Sequence, residues 1–336
     1  MLPLLLLFMV ACSQDDNFSD GDGQNGTKLV PVTIMLPGSP SHTQTRSRVT
    51  ELGSEQENKI DSLFLTLKFG TEVVEKTISG TDLSALSDQD TYGNPLIKVN
   101  FDVDFTIWNS ASTIDATVFA NYRTVPAAIS RETDFWNGDV LKPLFMSGRT
   151  VAMPKEENGK VELVRQVAKL RTKISKTTDC IPANLQILYD EIKVQVLHVA
   201  DHSAALNGDP VIGQIIPIDY DLRDARNIIT SNDYQPNLTV DSCYIHENIY
   251  GGTDPDSITT LSIKIPTLDP LTNHKEILEK EFQIKGSTGF NIERNHIYTL
   301  DIKIRSQKEP LDIFLNVQPW RIQNIDDPNL EPVHSY

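Results

Sequence analysis

The segment Lys28-Leu29-Val30-Pro31-Val32-Thr33-Ile34-Met35-Leu36 is the most informative part of the chain, and Pro37-Gly38-Ser39-Pro40 follows it directly. Its apolar residues recur at every second position, as Val30, Val32, Ile34 and Leu36. This alternation predicts a strand with one buried face, and the Pro and Gly residues after it predict its end. We therefore expect a strand over residues 28–36 that places four apolar side chains in a core.

The same period of two recurs along the rest of the chain. Leu63, Leu65, Leu67 and Phe69 alternate with Ser62, Phe64, Thr66 and Lys68. Later, one face carries Val164, Ala168, Leu170 and Ile174, while the other carries Arg165, Lys169, Arg171 and Lys173. Each pattern predicts a strand with one solvated face. Further strands are predicted over residues 116–122, 191–199, 259–265, 296–305 and 311–317, and we expect the last two to form a hairpin.

Helical periodicity is scarce, so the predicted fold class is all-β. Only residues 82–88 and 273–282 favour a short helix. A length of 336 residues is about twice that of a usual domain. The prediction is therefore two antiparallel β-sandwich domains in tandem. The polar stretch Pro154–Lys160 predicts the boundary, which gives an N-terminal domain over 28–160 and a C-terminal domain over 161–336.

Composition excludes several classes of protein. With 39% hydrophobic and 23% charged residues, the chain is typical of neither a disordered protein nor a multi-span membrane protein. Its 46 acidic residues against 30 basic residues give a formal net charge of −16. Such a surface repels phosphate backbones, so a nucleic-acid partner is not expected.

The first 27 residues predict an export signal and a tether. Leu2–Val10 is too short to span a bilayer but suits the apolar core of a signal peptide over residues 1–11. Met9-Val10-Ala11-Cys12 resembles the lipobox of bacterial lipoproteins, which implies lipidation at Cys12. The polar, acidic residues from Cys12 to Thr27 then predict a solvated tether.

We find no pattern that favours catalysis, a metal or a cofactor. His198 and His202 have an i, i+4 spacing, but that spacing binds metal on a helix, and these residues end a predicted strand. Asp219, Asp221 and Asp224 lack the loop pattern of a calcium site. Cys180 and Cys243 have no diagnostic spacing, so the sequence leaves their pairing open. The prediction is a protein that is not an enzyme, with no catalytic residue, metal or cofactor.

The loop over residues 37–57 follows the first predicted strand and carries two basic residues. Arg46 and Arg48 lie in a polar run after Pro40, as expected for an exposed, protease-accessible loop. Cleavage there separates the strand over residues 28–36 from the rest of the chain. An ordinary solvated loop with two charges is the alternative interpretation.

Several landmarks together resemble the fimbrillins of Bacteroidia, the subunits of type V pili, over nearly the whole chain. No single landmark is decisive, but their order is. They are Cys12, the strand over 28–36, Thr43-Gln44-Thr45-Arg46, Glu55–Leu63, Leu163–Leu170, Arg294-Asn295-His296-Ile297-Tyr298 and Val317-Gln318-Pro319-Trp320.

The resemblance implies a fold, a function and a set of partners. It implies two transthyretin-like β-sandwich domains, export as an outer-membrane lipoprotein precursor, trimming by an arginine-specific protease after Arg46 or Arg48, and polymerisation with other pilus subunits by strand exchange at the cell surface. Val30, Val32, Ile34 and Leu36 then plug the groove that a neighbour's strand refills. The resemblance places the donor at the C-terminus, which here means residues 311–317 or 321–336.

A surface lipoprotein that is never cleaved remains the alternative. It would keep the lipid at Cys12 and either anchor a pilus or bind glycan through an exposed face. Glycan binding needs clustered aromatic residues, whereas Trp108, Trp136 and Trp320 are far apart in the sequence. N-terminal sequencing of the surface protein separates the two hypotheses.

Overall fold

The computed structural model describes residues 26–37, 51–52, 55–90, 95–122, 128–130, 136–137, 140–141, 143–155, 159–200, 202–206, 217–221, 239–249, 257–286 and 289–321. Over these ranges the chain is an all-β protein, as predicted. Its short helices are α1 (Glu55–Asn58), α2 (Gly80–Ala85) and α3 (Phe105–Asn109), with a 3₁₀ turn at Tyr189–Glu191. These helices have four to six residues, so none of them has the length to cross a bilayer.

The strands are numbered in chain order. They are β1 (Thr27–Met35), β2 (Glu51–Leu52), β3 (Ser62–Phe69), β4 (Glu72–Ser79), β5 (Ser87–Gln89), β6 (Pro95–Asp104), β7 (Thr113–Ala120), β8 (Ala128–Ser130), β9 (Trp136–Asn137), β10 (Val140–Leu141), β11 (Met146–Pro154), β12 (Gly159–Glu162), β13 (Val164–Arg165), β14 (Val167–Ile181), β15 (Gln186–Ile187), β16 (Lys193–Ala200), β17 (His202–Ala204), β18 (Pro217–Asp221), β19 (Thr239–His246), β20 (Thr260–Asp269), β21 (His274–Gln283), β22 (His296–Ser306) and β23 (Asp312–Arg321).

Two sheets form the first sandwich. Sheet I has the order β12-β1-β6-β5 and sheet II has the order β13-β11-β7-β3-β4. The inward residues of both sheets make one core, in which Val32 and Val99 of sheet I pack with Leu65 and Val118 of sheet II. The alternation predicted for residues 63–69 is confirmed, since Leu63, Leu65, Leu67 and Phe69 are all buried. Phe64 lies on the opposite face but is also buried, because it packs against Phe119 and Ala205.

Two further sheets form the second sandwich. Sheet III has the order β19-β14-β22-β23-β2, and sheet IV has the order β15-β20-β16-β18 with β21 paired to β20. Their shared core includes Leu170 and Leu300 from sheet III, and Val196 and Ile263 from sheet IV. The predicted hairpin of the last two strands is confirmed, because β22 and β23 pair antiparallel from His296↔Pro319 to Lys303↔Asp312.

One of the two predicted helices is wrong. Residues 274–283 form β21, which pairs with β20 at ten positions, and Asn273 turns the chain between them with φ of +54°. Only Leu278 and Phe282 of its inward positions are apolar, so the period of two is weak in the sequence. The continuous ladder with β20 outweighs that weak local signal. The other predicted helix is present in part, as α2 over Gly80–Ala85.

The strand predicted to have a basic, solvated face is also different in the structure. Arg165 is 0% exposed and Lys169 is 8% exposed. Both residues lie where β13 and β14 pass beside α1, and they find polar partners there. The correction concerns the burial of the face and not the presence of a strand, which runs from Val167 to Ile181.

Several strand pairs connect parts of the chain that are far apart in sequence. β2 pairs with β23, and β8 pairs with β17. β12 pairs with β1, and both Val161 and Leu163 lie in the core of the first sandwich. Val161 and Leu163, which were predicted to belong to the second domain, therefore pack in the first core, and β13 belongs to sheet II.

Cys180 carries a free, buried thiol. The backbone of Cys243 pairs with Leu170 on β14. Cys180 follows Leu170 by ten positions on that same strand, which is about 30 Å at 3.3 Å per residue. A disulfide needs Cα atoms within about 7 Å, so this fold keeps the two cysteines apart.

Candidate functional site

Strand β1 is an internal strand of sheet I. It pairs antiparallel with β6 at nine positions, from Thr27↔Asp104 to Met35↔Leu96. On its other side it pairs parallel with β12 at four positions, from Val32↔Gly159 to Met35↔Glu162. β6 and β12 therefore meet only through β1, and its removal would open a gap inside the sheet.

The alternation predicted for β1 is confirmed in the structure. Val30 is 3% exposed, Val32 is 1% exposed and Ile34 is 0% exposed, whereas Leu29 on the outer face is 55% exposed. Leu36 lies just past the end of the strand and is partly buried against the same core. The structure therefore brings the four predicted residues into one core, three of them fully.

Both ends of β1 are held by neighbouring elements. At its start, the amide of Phe105 in α3 donates to the carbonyl of Gly26 at 3.1 Å. The Lys28 ammonium lies 5.8 Å from the centre of the Trp108 ring, within range of a cation–π contact. At its end, the amide of Leu163 donates to the carbonyl of Met35 at 2.9 Å. These contacts fix the register of β1 against its two neighbours.

Pro31 is unusual inside a sheet because it has no backbone N–H. Its position explains why it is tolerated. The ladder with β12 begins at Val32, so Pro31 lies just before the part of β1 that is paired on both sides. Its partner in β6 is Asn100, whose carbonyl accepts a hydrogen bond from Lys76 Nζ at 2.6 Å.

A cavity of about 590 Å³ lies beside the end of β1. Among the described residues, Leu36, Ile60, Leu83, Leu96 and Ile97 supply its apolar wall. Lys59, Asp61 and Asp88 are polar residues of the same lining. Leu36, which directly follows Met35, the last paired residue of β1, therefore forms part of the cavity wall.

Loss of β1 would uncover both apolar surface and backbone. Burying Val30, Val32 and Ile34 stabilises the fold by about 5–9 kcal/mol, at about 1.5–3 kcal/mol for each side chain. The facing edges of β6 and β12 would also lose their ladder partners. An edge of this kind pairs readily with another strand.

The other predicted site residues lie outside the described residues. These are Cys12, Arg46 and Arg48. The sequence did not identify β12 as the second neighbour of β1. At the start of β12, Gly159 leaves room for the Met153 side chain of β11, since a Cβ atom there would lie 2.3 Å from the Met153 sulfur.

No other cluster among the described residues favours chemistry. No three His, Cys, Asp or Glu residues within these ranges converge as a metal site would require. His198 has φ of +58° on β16, and its Nδ1 lies 3.2 Å from the carbonyl of Ile258. His202 lies on β17, so the two histidines do not share a helical face.

No protein-family model matches the chain, and no curated protein matches it. Solved structures do match. A protein described as a candidate cell adhesion protein from Parabacteroides distasonis ATCC 8503 has a TM-score of 0.55 at 17% identity, covering 89% of this chain and 98% of that chain. A fimbrilin from Porphyromonas gingivalis W83 has a TM-score of 0.54 at 12% identity, covering 88% of this chain and 98% of that chain.

A third match carries a fimbrial description as well. The tip fimbrial protein Mfa3 from Porphyromonas gingivalis, with a C-terminal truncation, has a TM-score of 0.50 at 12% identity. It covers 87% of this chain and 100% of that chain. The predicted resemblance to fimbrillins is therefore confirmed at the level of the fold, and this chain has the all-β fold of fimbrial and cell adhesion proteins of Bacteroidales.

Proposed function

We propose that the chain is a structural subunit of a type V pilus and that it assembles by exchanging β1 for a strand of a neighbouring subunit. The observation that carries the proposal is the place of β1 between β6 and β12, with Val32 and Ile34 at the centre of the core. The fold shared with fimbrial proteins supports the same role. While β1 is in place, it covers the groove and the subunit stays monomeric.

Trimming is proposed as the step that frees the groove. Cleavage after Arg46 or Arg48 would separate β1, together with the lipid on Cys12, from β2 and the rest of the chain. Both arginines are suitable cleavage sites for an arginine-specific protease. The precursor is then a lipoprotein of the outer membrane, and the trimmed chain belongs to a fimbrium on the cell surface.

The donor strand is proposed to lie after Arg321. β23 is a weak candidate because it pairs with β22 at eight positions. Trp320, near its end, is 0% exposed. Removing β23 would break that ladder and expose the indole ring. The sequence beyond it supplies Ile322, Ile325 and Leu330 as apolar anchors.

The resulting contact joins different surfaces of two identical subunits. A donor from one chain enters the groove of the next, which leaves the groove of the first chain open for another donor. Head-to-tail contacts of this kind produce filaments when the rotation between subunits does not close. Adhesion or colonisation through such a filament is the proposed biological role.

Of the three tryptophans, the two with described side chains, Trp108 and Trp320, give glycan binding little support. Trp320 is buried at the end of β23. Trp108 is partly buried in the first core, and Lys155 lies 4.4 Å from its ring centre. Neither ring is available as a flat platform for a sugar.

N-terminal sequencing of fibres sheared from cells tests the proposed function. Subunits that begin at Ser47 or Val49 are expected, because these residues follow the two arginines. Subunits that still begin at Cys12 would instead favour an uncleaved lipoprotein that anchors a pilus. Replacing Arg46 and Arg48 together by Gln should keep the chain monomeric, and replacing the exposed Arg149 by Gln is the matched control.

A further inference from the structure

Two cations lie buried where the chain passes from β13 of sheet II to β14 of sheet III. The side chains of Arg165 and Lys169 are on β13 and β14, where the sequence predicted a solvated face. Arg165 is 0% exposed and Lys169 is 8% exposed. A buried cation costs several kcal/mol unless it is paired and hydrogen-bonded. The residues around Arg165 and Lys169 must therefore supply opposite charge and hydrogen-bond acceptors.

Glu57 of α1 supplies the opposite charge. It is 1% exposed, and its Oε1 lies 2.8 Å from the Lys169 ammonium. The same oxygen accepts a hydrogen bond from the Tyr244 hydroxyl at 2.5 Å. One carboxylate therefore binds α1 to β14 and to β19, two neighbouring strands of sheet III.

Arg165 extends the contact to the ends of β22 and β23. Its Nη1 donates to the carbonyl of Trp320 at 2.9 Å and to Oδ1 of Asn295 at 3.0 Å. Its Nη2 donates to Oδ1 of Asn58 on α1. The guanidinium also stacks on Trp320, 4.4 Å from the ring centre. A planar, five-donor group is suited to holding several acceptors in fixed positions.

The buried charge of Glu57 and the buried charges of Arg165 and Lys169 stabilise one another. Burial lowers the pKa of Arg165 to about 9, so the guanidinium stays protonated at neutral pH. The cluster then contains two cations and the carboxylate of Glu57. Removing one partner of a buried pair is far more damaging than removing a surface charge, because the remaining charge has no water to stabilise it.

A second contact joins the same parts of the chain through the backbone. β2 pairs parallel with the end of β23, as Glu51↔Trp320 and Leu52↔Arg321. Both β2 and α1 follow Arg46 and Arg48 in the sequence. The segment 51–58 would therefore remain on the chain after trimming, attached to sheet III by backbone pairing and by buried charge.

We propose that these side chains form a junction latch between the segment 51–58 and the last strand of sheet III. The latch consists of Glu57, Asn58, Arg165, Lys169, Tyr244 and Trp320. It keeps β2, α1 and β23 in place when β1 leaves, so that the strand donated to a neighbour starts after Arg321. This inference rests on the proposed function, since it assigns a role during strand exchange.

The latch also gives a path for tension within a fibre. A pull on the donor of this subunit reaches Trp320, one residue before Arg321. From there it passes through Arg165 and Asn58 to α1, and along the chain to β3 of the first sandwich. The two sandwiches then resist the pull together instead of separating at their connection.

Hydrogen exchange measured by mass spectrometry on the full chain tests the latch before and after limited cleavage by an arginine-specific protease. After cleavage, peptides from β6 and β12 should exchange faster, and peptides from β2 and β23 should keep their protection. Loss of protection in β23 on cleavage would overturn the latch. Unchanged hydrogen exchange in β6 and β12 would contradict the proposed release of β1, but it would not contradict the latch. The two failures are therefore distinguishable.

The variant Glu57→Gln tests the charge in the latch. Breaking a buried pair should accelerate exchange in β2 and β23 by about 100-fold or more. The matched control is Glu279→Gln, because Glu279 pairs with Lys264 at 3.2 Å on an exposed hairpin. That control should change exchange by less than about 5-fold. Equal effects of both variants would contradict the proposal.

A compensating double variant covers the case in which Glu57→Gln folds poorly. Combining it with Lys169→Met removes one charge of each sign, so about tenfold or more of the lost protection should return. If Glu57 contributed only to general stability, the Glu57→Gln variant would change hydrogen exchange across the whole second sandwich. The latch predicts a change confined to β2, α1 and the end of β23, with β20 and β21 unaffected.

Discussion

At the scale of single residues, the inward side chains of β1 attach this strand to the core of the first sandwich. Ile34 is 0% exposed and lies opposite Ile97, its direct partner on β6. Leu29 points outward and is 55% exposed. Two residues of similar size on the same strand thus have opposite environments, which makes them a matched pair for measurement.

Replacing Ile34 by Ala should lower the free energy of unfolding of the uncut chain by about 2–5 kcal/mol, since it removes buried methyl groups and leaves a cavity. Replacing Leu29 by Ala should change that free energy by less than about 0.5 kcal/mol. Urea unfolding followed by circular dichroism measures both values. Similar values for the two variants would show that β1 does not contribute to the core as described.

Cys180 gives a second residue-level prediction. Burial raises the pKa of its thiol, so little thiolate is present near neutral pH. In a chain with Cys12 and Cys243 replaced by Ala, iodoacetamide should alkylate Cys180 much more slowly at about pH 8 than in urea. Mass spectrometry follows the reaction. Fast alkylation of the folded chain would contradict the burial of this thiol.

At the scale of elements, β1 can be treated as a ligand of the rest of the sandwich. A peptide with the sequence of residues 27–37 should bind the trimmed chain, because the groove between β6 and β12 matches its apolar side chains and its backbone. The same peptide with Val32→Asp and Ile34→Asp should not bind. Fluorescence anisotropy measures the difference in affinity. Equal binding of both peptides would contradict the claim that the groove between β6 and β12 recognises the apolar side chains of β1.

Some elements were predictable from sequence and others were not. β1 and β3 were found because their inward positions are apolar at every second residue. β21 was mistaken for a helix because its inward face also contains Glu276 and Lys280, so pairing with β20 determines its conformation. The burial of Arg165 depends on Glu57 and Trp320, which are more than 100 positions away, and no local pattern predicts such contacts.

At the scale of the whole molecule, we propose separate roles for the two ends of the described fold. β1 is the proposed cover of the groove, and the residues after Arg321 are the proposed donor. A trimmed chain that lacks residues 322–336 should keep its melting temperature within about 2 °C, because β23 and its contacts remain. It should no longer form polymers by itself. Polymers of normal length, seen by electron microscopy, would show that the donor lies elsewhere.

The central claim is that β1 must leave before subunits can join, and a reversible disulfide tests it most directly. Leu29 and Asp102 are exposed direct partners on β1 and β6. Such partners have Cα atoms about 4.5–5.5 Å apart, which is suitable for a disulfide. A chain carrying Leu29→Cys and Asp102→Cys, with Cys12, Cys180 and Cys243 replaced by Ala, should stay monomeric after arginine-specific cleavage while oxidised. Size-exclusion chromatography should show polymers once the bond is reduced, whereas polymers formed with the bond intact would contradict the account.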